Sequence, residues 1–208
     1  MEGALSLDVH LNGILNTRAI FPGDKKEKYG TEVKRGVSAG IHQHLFAIRM
    51  DMCVDGARNN IAKVEIEPET DDSVNAFGNA FFAKHTHLKT QKEAQMNMSS
   101  EKSRTWHIYN NERKNIMGSP VGYDFIPGHN IHVYPRVGST MRNRCPWLDY
   151  QVQVTKYHVD EQYPSGDYSN QASGEKDNLR TWINKDESIV DENMVLWHYT
   201  GATHVCRL

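Results

Sequence analysis

The chain has 208 residues, 38% of them hydrophobic, and a formal net charge of −2, which indicates a globular protein large enough for one sizeable domain. Its 24 basic and 26 acidic residues are interspersed, so we expect no nucleic acid partner. No window of 18 apolar residues occurs, so we expect no membrane span. No signal-peptide pattern occurs either, and the favoured compartment is the cytoplasm or the peroxisome. The three cysteines cannot all pair within one chain, which argues against a disulfide framework.

Alternation of apolar and polar residues predicts β-strands along most of the chain. In chain order, the first strands are predicted at Leu5–Leu11, Ile41–Met52 and Asn60–Glu67. Because Asp55-Gly56 lies between two alternating runs, we expect the second and third strands to form a hairpin. The remaining predicted elements are a helix at Gln91–Lys102 and strands at Arg104–Tyr109, Val121–Ile126, Gln151–Tyr157 and Met194–Thr200. This pattern predicts a mainly β fold, an antiparallel β-sandwich.

The second predicted strand carries His42-Gln43-His44. Residues two apart in a strand face the same side, so both imidazoles point into one space. With a third imidazole from another strand, the pair would suit copper, zinc or iron. The alternative is a pair of buried histidines bonded to the backbone, and the spacing by itself favours that alternative.

A second pair with the same spacing occurs at His85-Thr86-His87. It lies in a polar stretch beside Lys84 and Lys89, whose charges oppose the binding of a cation. We therefore predict that this pair lies on the surface and binds no metal.

One alternative for the first pair is the metal motif of the cupins. The spacing from Gly36 through the two histidines to Gly56 matches that motif, in which a glutamate ligand occupies the position of Arg49. A guanidinium has no lone pair to offer a metal. The second cupin motif is only approximated by Pro127-Gly128-His129. A cupin-type dioxygenase therefore stays the less favoured interpretation.

A longer run of residues around the first pair resembles a motif of the copper amine oxidases. The matching residues are His42-Gln43-His44-Leu45-Phe46, Arg49-Met50-Asp51-Met52, Val54-Asp55-Gly56 and Asn59-Asn60. Near the end of the chain, Trp197, Gly201, Thr203-His204 and Arg207 are similar to the family's W-Y-x-x-G-x-T-H-x-P-R. The resemblance covers nearly the whole chain. It implies an antiparallel β-sandwich, a homodimer, and one copper ion bound by His42, His44 and His204.

The family resemblance also implies an activity, the oxidation of a primary amine by dioxygen and water to an aldehyde, ammonia and hydrogen peroxide. In the family, copper and dioxygen convert the tyrosine of an N-Y-D/E motif into topaquinone, and an aspartate serves as the base. No such motif occurs in the 41 residues before His42. We therefore expect the chain to be part of a single catalytic domain that binds copper but lacks the cofactor tyrosine and the catalytic aspartate. The alternative is a non-enzymatic, copper-binding or dimerising β-sandwich protein.

The resemblance further implies a second, calcium-like metal site formed by Asp51, Met52, Asn193 and Met194. The family often has aspartate where this chain has Cys53, and usually has it where this chain has Asn193. Hard cations prefer anionic oxygen ligands. We therefore expect the second site to be weak.

Two substitutions flank the proposed third copper ligand. Cys206 replaces the family's proline, and His198 replaces its tyrosine. Cys206 is two residues from His204, so it can face the same side of a strand and serve as a soft fourth ligand. An ordinary small apolar thiol is the favoured alternative.

Overall fold

The computed structural model describes residues 3–21, 23–24, 28–128, 131–170 and 176–206. Two compact units divide the chain, one formed by residues 46–200 and the other by residues 1–45 with 201–208. The strands are β1 Thr17–Ala19, β2 Gly30–Lys34, β3 Val37–Gly40, β4 His42–Met52, β5 Asn60–Pro68, β6 Phe81–Leu88, β7 Thr105–Lys114, β8 Pro120–Phe125, β9 Val152–Lys156 and β10 Met194–His204. The helices are α1 Thr140–Arg144, a 3₁₀ turn Pro146–Leu148 and α2 Leu179–Asn184.

The unit of residues 46–200 contains a β-sandwich. One sheet has the strand order β6-β5-β7-β8 and the other the order β4-β10-β9. Trp106 and Ile108 of the first sheet share one buried core with Val154 and Leu196 of the second. Burial of a large apolar side chain contributes about 1.5–3 kcal/mol, so this shared core is what holds the two sheets face to face. The prediction of a mainly β sandwich is confirmed.

Strand β10 is covered on both faces, which explains why its sequence Met-Val-Leu-Trp does not alternate. Met194 and Leu196 face the core between the sheets, while Val195 and Trp197 pack with helix α2. The helix begins at a capping box in which the Asn178 side chain accepts a hydrogen bond from the Thr181 backbone. Among the described residues, neither helix is long and apolar enough to cross a membrane.

The second unit contains the small antiparallel sheet β1-β3-β2. Strands β2 and β3 are joined by a tight turn in which Gly36 has φ 75°, a conformation that glycine adopts without a steric cost. The first residues of β4 and the last residues of β10 also belong to this unit. These strand ends carry the three histidines that the sequence singles out.

The strand predicted at Leu5–Leu11 is wrong. None of these residues lies in a strand, and the exposed fractions of Leu5 and Leu11 are 96% and 52%. Alternation satisfies only one condition for a strand, because the backbone also needs a neighbouring strand to complete its hydrogen bonds. Within the described part of the chain, no strand pairs with this segment.

The hairpin predicted across Asp55-Gly56 is also wrong, although both of its strands form. Strand β4 lies in one sheet and β5 in the other, so the turn links the two layers of the sandwich. The buried Asn59 side chain closes this link, because it accepts from the Val54 N–H and donates to the Val54 carbonyl at 3.0 and 3.1 Å. The asparagine is therefore a structural part of the motif that begins at the histidine pair.

The helix predicted at Gln91–Lys102 is absent, and the segment forms turns and short bridges instead. Gln91 is fully buried, accepts a hydrogen bond from Lys156 N–H and donates to the Trp182 carbonyl at 2.9 Å each. These tertiary contacts outweigh a helix propensity of a few tenths of a kcal/mol per residue. The other four predicted strands correspond to β7, β8, β9 and β10.

Candidate metal centre

Three imidazoles that are far apart in sequence lie together in the unit of residues 1–45 and 201–208. His42 and His44 come from the start of β4, and His204 is the last residue of β10. One possible ligand atom from each lies within 4.8 Å of the others, and all three side chains are half-buried. Among the described residues, this is the only group of three histidine, cysteine or acidic side chains with that geometry.

A backbone contact orients the His42 ring. Its Nδ1 lies 2.9 Å from the carbonyl oxygen of Gly40. Because a carbonyl oxygen only accepts hydrogen bonds, Nδ1 carries the proton and Nε2 keeps a lone pair. Orientation of a ligating imidazole by a hydrogen bond from its second nitrogen is the usual arrangement at metal sites.

The spacing of the three rings fits binding to one ion. Nε2 of His42 and Nε2 of His44 are 3.0 Å apart. Two nitrogens that each lie about 2.0 Å from one ion have this separation when the nitrogen–ion–nitrogen angle is somewhat above 90°. The ring centroid of His42 lies 4.7 Å from that of His44 and 4.9 Å from that of His204. The centroids of His44 and His204 are 6.1 Å apart.

Gly201 allows the two histidine-bearing strands to approach. A Cβ atom at this position would overlap the carbonyl oxygen of His44 and lie 3.1 Å from Leu45 Cα. A residue with a side chain would therefore force β4 and β10 apart where they carry the metal-binding rings. This contact gives a physical reason for the glycine that precedes Thr203-His204 in the terminal motif.

Polar contacts fix the same strand ends on either side of the histidines. Between the two histidines of β4, the Gln43 amide donates to the Thr203 hydroxyl at 3.1 Å. The Thr31 hydroxyl of β2 donates to the Cys206 carbonyl at 2.8 Å, which holds the chain just after His204. The sequence alone gives these supporting residues no role in the site, because such contacts join segments far apart along the chain.

The donor set fits copper. Three neutral imidazoles without a carboxylate suit borderline metals such as copper and zinc, whereas calcium and magnesium require oxygen ligands. Three protein ligands also leave coordination positions open for water or a small substrate, as in catalytic metal sites.

The second histidine pair lies on β6 and is exposed, as predicted. The Tyr109 hydroxyl lies 2.7 Å from His87 Nδ1. Burial of the Tyr109 ring, together with the charge of Asp191, raises the pKa of this phenol, so the hydroxyl keeps its proton. Nδ1 of His87 is thereby used in a structural hydrogen bond.

Arg49, which occupies the position of the cupin glutamate, has a structural role. Its guanidinium lies 5.6 Å from the ring centroid of Tyr157 and 5.7 Å from that of Trp197. Stacking of this kind stabilises a partly buried cation. His129 of the approximate second cupin motif, and Arg207 of the terminal amine oxidase motif, lie outside the described residues.

The residues of the predicted second metal site lie at the end of β4 and the start of β10. Asp51 is exposed, and Met194 is fully buried. The Asn193 carbonyl accepts a hydrogen bond from Tyr157 N–H at 2.8 Å. Asp51 is the only carboxylate of the four residues, and the weak second site stays a prediction.

Comparison with known proteins identifies the family. Residues 1–208 match the family model of the copper amine oxidase enzyme domain. The chain is 37% identical over 210 residues to the primary amine oxidase of Arthrobacter sp. (strain P1), covering 100% of this chain and 32% of that protein. It is also 37% identical to copper amine oxidase 1 of Schizosaccharomyces pombe, covering 98% of this chain and 30% of that protein. The chain therefore spans about a third of the length of these curated relatives.

A solved structure agrees with the sequence comparison. The copper-containing benzylamine oxidase from Hansenula polymorpha superimposes with a TM-score of 0.81 at 28% sequence identity, covering 94% of this chain and 30% of that one. Both the sequence and the fold match over nearly all of the chain. The chain belongs to the copper amine oxidase family.

Proposed function

We propose that these 208 residues are the copper-binding portion of a primary-amine oxidase catalytic domain. His42, His44 and His204 are the copper ligands in this proposal. The observation that carries it is the convergence of three half-buried imidazoles from two strands, within 4.8 Å of one another. In the family, bound copper supplies the redox chemistry with dioxygen that produces the quinone cofactor.

The residues of this chain have distinct roles in holding that ion. The Gly40 carbonyl orients His42 so that Nε2 faces His44. Gly201 permits the close approach of β10, and the Gln43–Thr203 hydrogen bond joins the two strand ends. Such supporting contacts typically change metal affinity by about 10–100-fold.

We further propose that the 208-residue chain alone binds copper without oxidising amines. Its nine tyrosines include none preceded by asparagine, so the N-Y-D/E motif that yields topaquinone in the family does not occur among these residues. Without a quinone carbonyl, the chain has no electrophile to form a Schiff base with a primary amine.

The test is an assay of the purified chain after copper loading. By metal mass spectrometry we expect about one copper per chain. With methylamine or benzylamine, we expect no more hydrogen peroxide than free copper alone produces. A His42→Ala variant serves as the copper-free control. Peroxide released in proportion to the amine consumed by the loaded chain, but not by the variant, would contradict the proposal of inactivity.

The alternative, a non-enzymatic copper-binding or dimerising β-sandwich protein, makes the same prediction for this chain. The two are distinguished by the coding sequence upstream of Met1, where a primary-amine oxidase requires an N-Y-D/E motif. A cupin-type dioxygenase instead predicts metal binding that does not depend on His204. Homodimer formation, also proposed from the family, is tested by sedimentation equilibrium.

A further inference from the structure

A buried arginine with unused hydrogen-bond donors lines a cavity in the unit of residues 46–200. Arg142 lies on helix α1 and is only 7% exposed. Its Nε is buried and has no hydrogen-bond partner in the part of the chain that the structure describes. Its Nη2 lies 3.7 Å from Asp149 Oδ1, which is longer than a hydrogen bond. Burial of a guanidinium without hydrogen bonds is unfavourable, so this arginine needs an acceptor that these contacts do not supply.

Asp149 does not neutralise Arg142 alone, because it makes shorter contacts with another arginine. Its Oδ2 accepts a hydrogen bond from Arg180 Nε at 2.8 Å and lies 2.7 Å from Arg180 Nη2. Two guanidinium groups therefore share one carboxylate, and Arg142 has the longer contact. Positive charge is left on the side of Arg142, where the cavity lies.

The cavity has the size and the walls of a site for a small organic molecule. Its volume is about 630 Å³, and pockets for small ligands usually measure about 300–1,000 Å³. The buried apolar side chains in its wall are Ile131, Val133 and Leu148. A ligand with an apolar body can therefore bury that body here and contact the guanidinium at the same time.

The polar groups of the wall favour an anion over a cation. The described lining residues with a full charge at neutral pH are Arg136, Arg142 and Asp149, two positive and one negative. Tyr199 also lines the cavity, and burial of its ring raises the pKa of its phenol; the charge of Arg142 opposes this shift and that of Asp149 adds to it. The Tyr199 hydroxyl thus keeps its proton and can donate a hydrogen bond to a negatively charged ligand.

We propose that this cavity binds a small organic carboxylate. The carboxylate oxygens accept hydrogen bonds from the Arg142 guanidinium, and the apolar body packs against Ile131, Val133 and Leu148. A planar carboxylate matches a guanidinium because the two form parallel hydrogen bonds. Inorganic phosphate supplies acceptors as well, but it leaves the apolar wall uncovered. This binding site goes beyond the proposed copper-binding function and does not depend on it.

The test is isothermal titration calorimetry of the copper-free chain with benzoate, benzyl alcohol and inorganic phosphate. Copper is left out because a carboxylate can also bind to a metal. We expect benzoate to bind more tightly than either other compound. Arg142→Met removes the guanidinium and should weaken benzoate binding about tenfold or more, as loss of one hydrogen bond to a charged group does. Arg144→Met, which changes an exposed arginine of the same helix, should leave it unchanged.

Each comparison can contradict one part of the proposal. Equal binding of benzyl alcohol would contradict recognition of the carboxylate, and equal binding of phosphate would contradict the role of the apolar wall. Absence of benzoate binding at millimolar concentrations, or equal benzoate affinities in Arg142→Met and Arg144→Met, would overturn the site. Nuclear magnetic resonance of the wild type tests it even if Arg142→Met does not fold. The side-chain N–H signals of Arg142 should shift as benzoate binds, and signals that stay in place would overturn the assignment.

Discussion

Two His-x-His segments lie on strands of this protein, and only one of them belongs to a candidate metal centre. In β4, His42 and His44 meet a third imidazole from β10. In β6, His85 and His87 lie on an exposed sheet face, and a hydrogen bond joins His87 Nδ1 to the Tyr109 hydroxyl. Local spacing is the same in both segments, so the strand neighbours make the difference.

A pair of histidines becomes a metal site only when other strands supply what the pair lacks. The β4 pair has a neighbouring strand that supplies a third donor and a glycine that lets this donor approach. The β6 pair faces the aromatic ring of Tyr109 and the His107 imidazole, whose own Nδ1 bonds to Asp124 at 2.7 Å. In that group two imidazole nitrogens are bonded to Tyr109 and Asp124, and no three possible ligand atoms lie within 4.8 Å of one another.

The largest expected effect is the loss of copper affinity when a β4 histidine is replaced. His42→Ala removes one of three ligands and should weaken copper binding by more than about 100-fold, since supporting residues alone cost up to that much. His85→Ala, at the matched position of the other pair, should leave the affinity unchanged. Competition with a chelator of known affinity measures both. Equal losses of copper affinity in the two variants would contradict the assignment of the metal site to the β4 pair alone.

Replacement of Gly201 tests whether strand approach builds the site. In Gly201→Ala, the added Cβ overlaps the His44 carbonyl, and relief of the clash should cost about 1–3 kcal/mol of unfolding free energy. Copper affinity should fall as well, because His44 and His204 move apart. Gly40→Ala is the control, since a Cβ there has no atom within 4 Å. Urea denaturation measures the unfolding free energy and titration measures the copper affinity. Equal values of both in the two variants would contradict this role of Gly201.

Removal of His87 tests the structural role of the β6 pair. His87→Ala leaves the hydroxyl of Tyr109, which is 8% exposed, without its partner and should destabilise the chain by about 1 kcal/mol. The further change Tyr109→Phe should recover part of that loss by removing the unpaired hydroxyl. Copper content should stay at one per chain in both variants. Thermal denaturation of the single and double variants gives the coupling between the two residues.

The smallest expected effect is the acid sensitivity contributed by a buried histidine outside both pairs. Burial lowers the pKa of His198, although a hydrogen bond from its Nδ1 to the Gln151 carbonyl opposes the shift. The unfolded chain therefore binds this proton more readily, so stability falls as the pH drops below about 6.5. His198→Tyr should reduce the loss of Tm between pH 8 and pH 5, measured on copper-free chain. An unchanged pH dependence would argue against this role.

The sequence predicted the strands of the site better than their pairing. Alternation located β4, because one of its faces must be buried, and a short apolar run located β10, which is covered on both faces. The Asp55-Gly56 turn signal did not reveal that the next strand joins the other sheet. Local signals specify where a chain turns, whereas the pairing of strands depends on contacts such as those of Asn59 with Val54.

The candidate ligands show the same limit. The two-residue period explains why His42 and His44 face one space, but no local pattern distinguishes His204 among eleven histidines. Its selection required the resemblance to the copper amine oxidases, and the structure brings its ring to 4.9 Å from that of His42. The residues that position these rings, Thr31 and Thr203, act through contacts between strands far apart in the chain.

The most direct test of the three-histidine copper centre is the copper content of His204→Ala, measured by metal mass spectrometry after equilibrium dialysis. We predict about one copper per wild-type chain and per His85→Ala chain. We predict far less than one per His204→Ala chain whose circular dichroism spectrum shows that its fold is retained. Full copper content in folded His204→Ala would contradict the assignment of a three-histidine copper centre.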